Sequence, residues 1–113
     1  MFFGGICMKV EKILETRLSD ADRIFNYTYR LIKGQYEGIV SYGIEAEMNE
    51  VKDGQVVDIE RDGINVISNN KAKVEKLLNI LADNKVSPIH FIDVLGEYID
   101  EYAGDFDIVP AEL

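Results

Sequence analysis

Apolar and polar residues alternate along the first two thirds of this chain, which is the pattern of strands with one buried face. Val10, Leu14 and Leu18 stand among Glu11, Glu15 and Arg17 and predict a first strand, followed by the polar connection Ser19-Asp20-Ala21-Asp22. Phe25, Tyr27, Tyr29 and Leu31 share one face of a second strand, with Asn26, Thr28 and Arg30 on the other, and Lys33-Gly34-Gln35 reads as its turn. The cleanest alternation comes third: Val40, Tyr42, Ile44, Ala46 and Met48 on one face, Ser41, Gly43, Glu45 and Glu47 on the other. Asp53-Gly54 suits a tight hairpin, because a type I′ turn needs two residues that tolerate positive φ. Val57 and Ile59 mark a fourth strand. Asp62-Gly63 repeats the turn chemistry ahead of a short run from Ile64 to Ile67, so a fifth strand is possible on pattern alone.

The period then changes to that of helices. Ser68-Asn69-Asn70 supplies N-cap residues, and Val74, Leu77, Leu78 and Leu81 fall at i, i+3, i+4 and i+7 on a helix ending near Asn84. Ser87-Pro88 pairs an N-cap residue with a proline at the first helical position. A second helix follows to about Tyr102, with Phe91, Leu95, Tyr98 and Tyr102 at helical spacing, Ile92 and Ile99 beside them, and Gly104 as its stop. Strands joined by such short links must run antiparallel. The expected fold is α+β: an antiparallel β-meander of four to five strands followed by a two-helix hairpin packed on one sheet face. Read as a single domain over 1–113, it divides into an N-terminal extension (1–8), the meander (9–67), the α-hairpin (68–103) and an acidic tail (104–113).

Composition narrows function mainly by exclusion. One Cys and one His in 113 residues leave no disulfide framework and no zinc finger, and no cofactor or metal is expected. The net charge of −9 opposes nucleic acid and anionic membrane surfaces. It is also uneven. From Val86 onward there are seven acids (Asp93, Glu97, Asp100, Glu101, Asp105, Asp107, Glu112) and no Lys or Arg. No stretch approaches the roughly 20 apolar residues of a membrane span. The apolar start lacks a basic region and is broken by Gly4-Gly5, unlike a signal peptide. Regular patterning begins only after Met8, which makes Met8 an alternative start and Cys7 part of an appended tail. Cytoplasm is the natural compartment.

Candidate chemistry is sparse. His90, the only side chain that ordinarily titrates near neutrality, has Asp93 at i+3, the relation of a base to its orienter. No nucleophile accompanies them, since Ser87 is better used as a cap, so a His held at a helix start is the stronger reading and no catalytic residue is assigned. Glu45 and Glu47 share a face on the third strand, Asp58 and Glu60 on the fourth. Pairing around Asp53-Gly54 is expected to gather these four on the exposed face, where a solvated surface is far commoner than a cation site. The glycines form no phosphate-binding loop. The tyrosines weigh more. Tyr27, Tyr29 and Tyr42 on the sheet, with Tyr36, Tyr98 and Tyr102, exceed the needs of a small core and suit an interface or a lined pocket.

Tyr27-Thr28-Tyr29, Ser41-Tyr42-Gly43-Ile44-Glu45, Val66-Ile67-Ser68, the helix from Val74 to Leu81, and Asn84-Lys85-Val86-Ser87-Pro88-Ile89-His90 with Asp93-Val94 occur in this order. On these segments the chain resembles a family of short uncharacterised proteins from clostridia and related anaerobic Firmicutes, a domain of unknown function. The resemblance covers about residues 9–103 and is most distinctive from Asn84 to Val94. It implies a cytoplasmic bacterial protein and no known activity.

Two functions are therefore expected from different classes. The first is a non-catalytic domain acting by protein–protein contact, with a second copy of itself as one candidate partner, and with Asp100, Glu101, Asp105 and Asp107 steering a basic surface. The second is a small-ligand or enzymatic site between sheet and helices, near His90, Asp93, Tyr42 and Tyr98.

Overall fold

The computed structural model describes residues 8–102. Four strands, β1 (Lys9–Asp20), β2 (Arg23–Tyr36), β3 (Ile39–Lys52) and β4 (Gln55–Ser68), precede helix α1 (Lys71–Asp83) and helix α2 (Phe91–Tyr102), the latter entered through a 3₁₀ turn at Pro88–His90. The strands form one open antiparallel sheet in the order β1-β2-β3-β4. This is the α+β meander followed by two helices that the hydrophobic pattern predicts, with four strands.

Two of the hairpins turn on residue pairs in the left-handed region: Glu37 and Gly38 (φ 50° and 81°), and Asp53 and Gly54 (φ 53° and 77°). Such pairs match the twist of the flanking strands. The β2–β3 turn is thus Glu37-Gly38, and the turn expected at Lys33-Gly34-Gln35 is instead the last part of β2. Asp62-Gly63 is not a turn either. It lies inside β4, where the Asp62 carboxylate accepts a hydrogen bond from the Gly63 N–H at 2.8 Å and both residues pair with β3.

The irregularity comes two residues later. Tyr42 pairs with Ser68 and Ile44 with Ile64, so β4 carries extra residues against Gly43. A Cβ on Gly43 would lie 2.1 Å from the Ile64 carbonyl oxygen and 2.4 Å from that of Asn65. Only glycine fits. This bulge carries Ile67 and Ser68 into the core, in place of a separate fifth strand.

The core lies between one sheet face and the helices. Tyr29 and Leu31 of β2, Ile44 and Ala46 of β3, Ile67 of β4, Val74, Leu77, Leu78 and Leu81 of α1, and Phe91 and Leu95 of α2 are all buried in one cluster. Asn70 caps α1, its side chain accepting from the Lys73 N–H at 3.3 Å. At the other end the Val86 N–H donates to the Leu81 carbonyl (3.1 Å) and the Lys85 N–H to the Ala82 carbonyl (3.3 Å). That is a Schellman ending, with Lys85 at φ 49° where glycine is usual. The Tyr29 hydroxyl donates to the Val86 carbonyl at 2.7 Å in the buried interior, fastening the interhelix loop to the sheet. Ser87 precedes the 3₁₀ turn, but its side chain makes no capping hydrogen bond, contrary to the capping role read from Ser87-Pro88. The turn is started by backbone geometry, with Pro88 at its first position and the His90 N–H on the Ser87 carbonyl at 3.0 Å.

Candidate functional site

Fourteen-residue strands span about 46 Å, whereas a thirteen-residue helix spans about 20 Å. The helices therefore cannot cover the sheet, and the molecule is elongated, 54 × 33 × 19 Å. Beyond Tyr27 and Met48, toward the hairpin at Asp53-Gly54, no strand residue is buried. This distal end is a bare ribbon.

Its two faces differ. On the face away from the helices, polar side chains link across strands. Arg17 donates to Asn26 at 3.3 Å and Asn26 to Asn49 at 3.0 Å. Arg30 donates to Glu47 at 3.0 Å, and Arg61 approaches the same carboxylate at 3.8 Å. Around these pairs runs a shallow groove of about 490 Å³ whose lining includes Arg30, Glu45, Glu47, Arg61 and Asn65. On the other face, the register places Glu60 opposite Met48 and Asp58 opposite Glu50, with Asp62 opposite Ala46. The four carboxylates expected to cluster are thus separated: Glu45 and Glu47 face one way, Asp58 and Glu60 the other. The bulge at Val57, between the pairs Val51–Val56 and Glu50–Asp58, moves the register by one residue and flips every position beyond it. Among the described residues, no three of His, Cys, Asp and Glu are placed to hold a metal ion.

The two sheet edges also differ. On β1, Glu11 is the bulged residue, and its carboxylate meets the Lys71 ammonium of α1 at 3.3 Å and Lys9 at 3.7 Å. The Lys71 hydrogen bond and the nearby ammoniums hold the Glu11 carboxyl below the usual range. Lys12 reaches Glu75 at 3.9 Å. The helix-proximal part of the β1 edge is therefore tied to α1, while Ile13 and Leu18 farther along are exposed. Among the described residues no strand pairs with the distal β4 edge, and Val56, Val57 and Ile59 expose 55, 54 and 51% of their surface. Asp58, Glu60 and Asp62 recur there at every second position, a row legible as alternation in the sequence but masked by reading Asp62-Gly63 as a turn. One oxygen of Glu60 is buried with no hydrogen-bond partner.

The other predicted residues lie elsewhere. His90 and Asp93 approach each other at 3.9 Å, but their side chains are 64 and 82% exposed. Tyr42 and Tyr98 are half-buried and pack against the core cluster. Asp100 and Glu101 belong to α2, but their side chains lie outside the described residues, as do Asp105, Asp107, Gly104 and Cys7 entirely. Tyr27 and Tyr29 stack with centroids 6.4 Å apart. Burial pushes both phenols up; Glu60 adds to the effect on Tyr27, and Tyr27 to that on Tyr29. Both therefore work as neutral core side chains.

No helix among the described residues is long and apolar enough to cross a membrane. No curated protein and no solved structure matches the chain. The model of a family of unknown function does match, over residues 8–101, which takes in every strand and nearly all of α2. The chain belongs to that family, DUF6514.

Proposed function

We propose that this protein is a small non-catalytic domain that acts by protein–protein contact, in the cytoplasm of a clostridial or related bacterium. The observation that carries this reading is the bare distal end of the sheet, whose free β4 edge exposes Val56, Val57 and Ile59 in a row. Unpaired strand edges bind extended segments through backbone hydrogen bonds, and exposed apolar side chains add contact area. The acids of the C-terminal quarter, including Asp100, Glu101, Asp105 and Asp107, steer a basic partner toward the domain. A small-ligand site at His90, Asp93, Tyr42 and Tyr98 has less support, since the first two are open to solvent and the tyrosines pack on the core.

Native mass spectrometry of gently purified protein separates the two readings. The contact reading predicts a mass of one or two chains without adduct, and a protein partner recovered from the native host that is lost as salt rises. A reproducible adduct of small-molecule mass would contradict it.

A further inference from the structure

We infer that β4, from Val56 to Asp62, accepts as a fifth strand an extended segment of a partner protein in which Lys or Arg alternates with apolar residues. The inference rests on the contact reading above and names the site and the partner's chemistry. Three observations carry it.

The first is topology. Among the described residues β4 is hydrogen-bonded to β3 alone, so the backbone N–H and C=O groups of every second residue face outward. The opposite edge, β1, is interrupted beside the helices by the Glu11 bulge and by the ion pairs of Glu11 and Lys12 with α1, and its distal part alternates Glu15 with Arg17 in place of a row of like charges.

The second is charge. Asp58, Glu60 and Asp62 project from the same face of β4, and no cation pairs with any of them among the described residues. Directly opposite charges on adjacent strands attract and like charges repel. A strand bearing ammonium or guanidinium groups at alternate positions meets this row tooth for tooth and supplies donors to the unpartnered oxygen of Glu60. On the other face the same incoming strand lies beside Val56 and Ile59, which favour apolar residues at the intervening positions.

The third concerns what the edge rejects. A second copy of β4, set antiparallel across a two-fold axis, brings like faces together. The acids of one copy then oppose those of the other in any register centred on Asp58, Ile59 or Glu60. The occupant is therefore a basic segment of another protein.

The test uses the full chain and a labelled peptide of about ten residues that alternates lysine with valine and threonine. Fluorescence anisotropy reads affinity, and amide chemical shifts read location. The expected result is salt-sensitive binding with shifts confined to β4 and its β3 neighbours. Asp58→Lys with Asp62→Lys, both at exposed positions, should weaken binding about tenfold or more and create binding to a glutamate–valine counterpart. The same charge change on β1, Glu15→Lys with Asp20→Lys, should leave affinity within about twofold. Equal effects of the two double variants, or shifts mapping away from β4, overturn the β4 assignment while the contact reading stands. β4 found at the interface of a homodimer overturns the basic-segment occupant. Absence of peptide binding together with a small-molecule adduct overturns both readings.

Discussion

The two ends of this sheet are made of the same strands and put to different uses. At the helix-covered end, Tyr29, Leu31, Ile44, Leu77, Leu78, Leu81, Phe91 and Leu95 are fully buried, and the Tyr29 hydroxyl brought in with them has its partner. At the distal end no strand residue is buried, and the side chains are charged, linked in surface pairs, or apolar and exposed. Burial of apolar area is the main source of folding free energy, so stability belongs to the first end. The second end contributes little to stability and leaves its edge for contact. The strands continue past the helices, and that extra length is what makes a contact surface available.

Substitutions can break this contrast. The largest effect expected is Phe91→Ala, which should cost about 3–5 kcal/mol in chemical denaturation, against less than about 0.5 kcal/mol for Ile59→Ala on the bare edge. Comparable losses at the two sites would remove the distinction between the ends. Gly43→Ala comes next. Its Cβ overlaps two β4 carbonyl oxygens, and the bulge must open, at about 1–3 kcal/mol or more; unchanged stability would mean the bulge is not as described. Tyr29→Phe leaves the buried Val86 carbonyl without its donor and should cost about 1–3 kcal/mol, with the interhelix loop exchanging amide hydrogens faster.

Smaller effects sharpen the picture at the helix ends. Lys85→Gly removes the strain of a side chain at φ 49° in the Schellman ending and should stabilise the protein by about 0.5–1 kcal/mol in thermal melts. Glu11 gives a pH dependence. Its folded-state pKa lies below the ordinary 4.5, so its contribution is present above that value and is lost as pH falls through the lowered one. Glu11→Gln should lower the melting temperature slightly near neutrality and not at all below the acid limit. A difference that persists in strong acid would assign Glu11 a role other than its pairing with Lys71.

Most of the covered end was legible in the sequence, because period-2 and period-3.6 patterns report burial and this end is buried. Tyr27, Tyr29, Leu31, Ile44, Ala46 and Met48 were all predicted on the inner face, and Val74, Leu77, Leu78 and Leu81 on the inner side of α1. The distal end was harder to read for the same reason. With no core to enforce register, the single-residue bulge at Val57 left no trace in the pattern, and it alone moved Asp58 and Glu60 away from Glu45 and Glu47. Asp62-Gly63 has the residues of a hairpin turn, yet β3 is long enough to pair on past it and extends the ladder. Gly43 stood as one more residue of a clean alternation. Its need for close approach appears only once the Ile64 and Asn65 carbonyls are placed opposite.

The central claim is that the free β4 edge is the contact surface and that the helix-covered end is the scaffold. Hydrogen exchange on the full chain, free and saturated with the alternating lysine peptide, tests it most directly. Amides of β2, β3 and α1 at the covered end should be protected in both states, while the outward-facing amides between Val56 and Asp62 should exchange fast in the free protein and slow on binding. Slowing confined to α2, or no slowing anywhere at saturation, would contradict the claim.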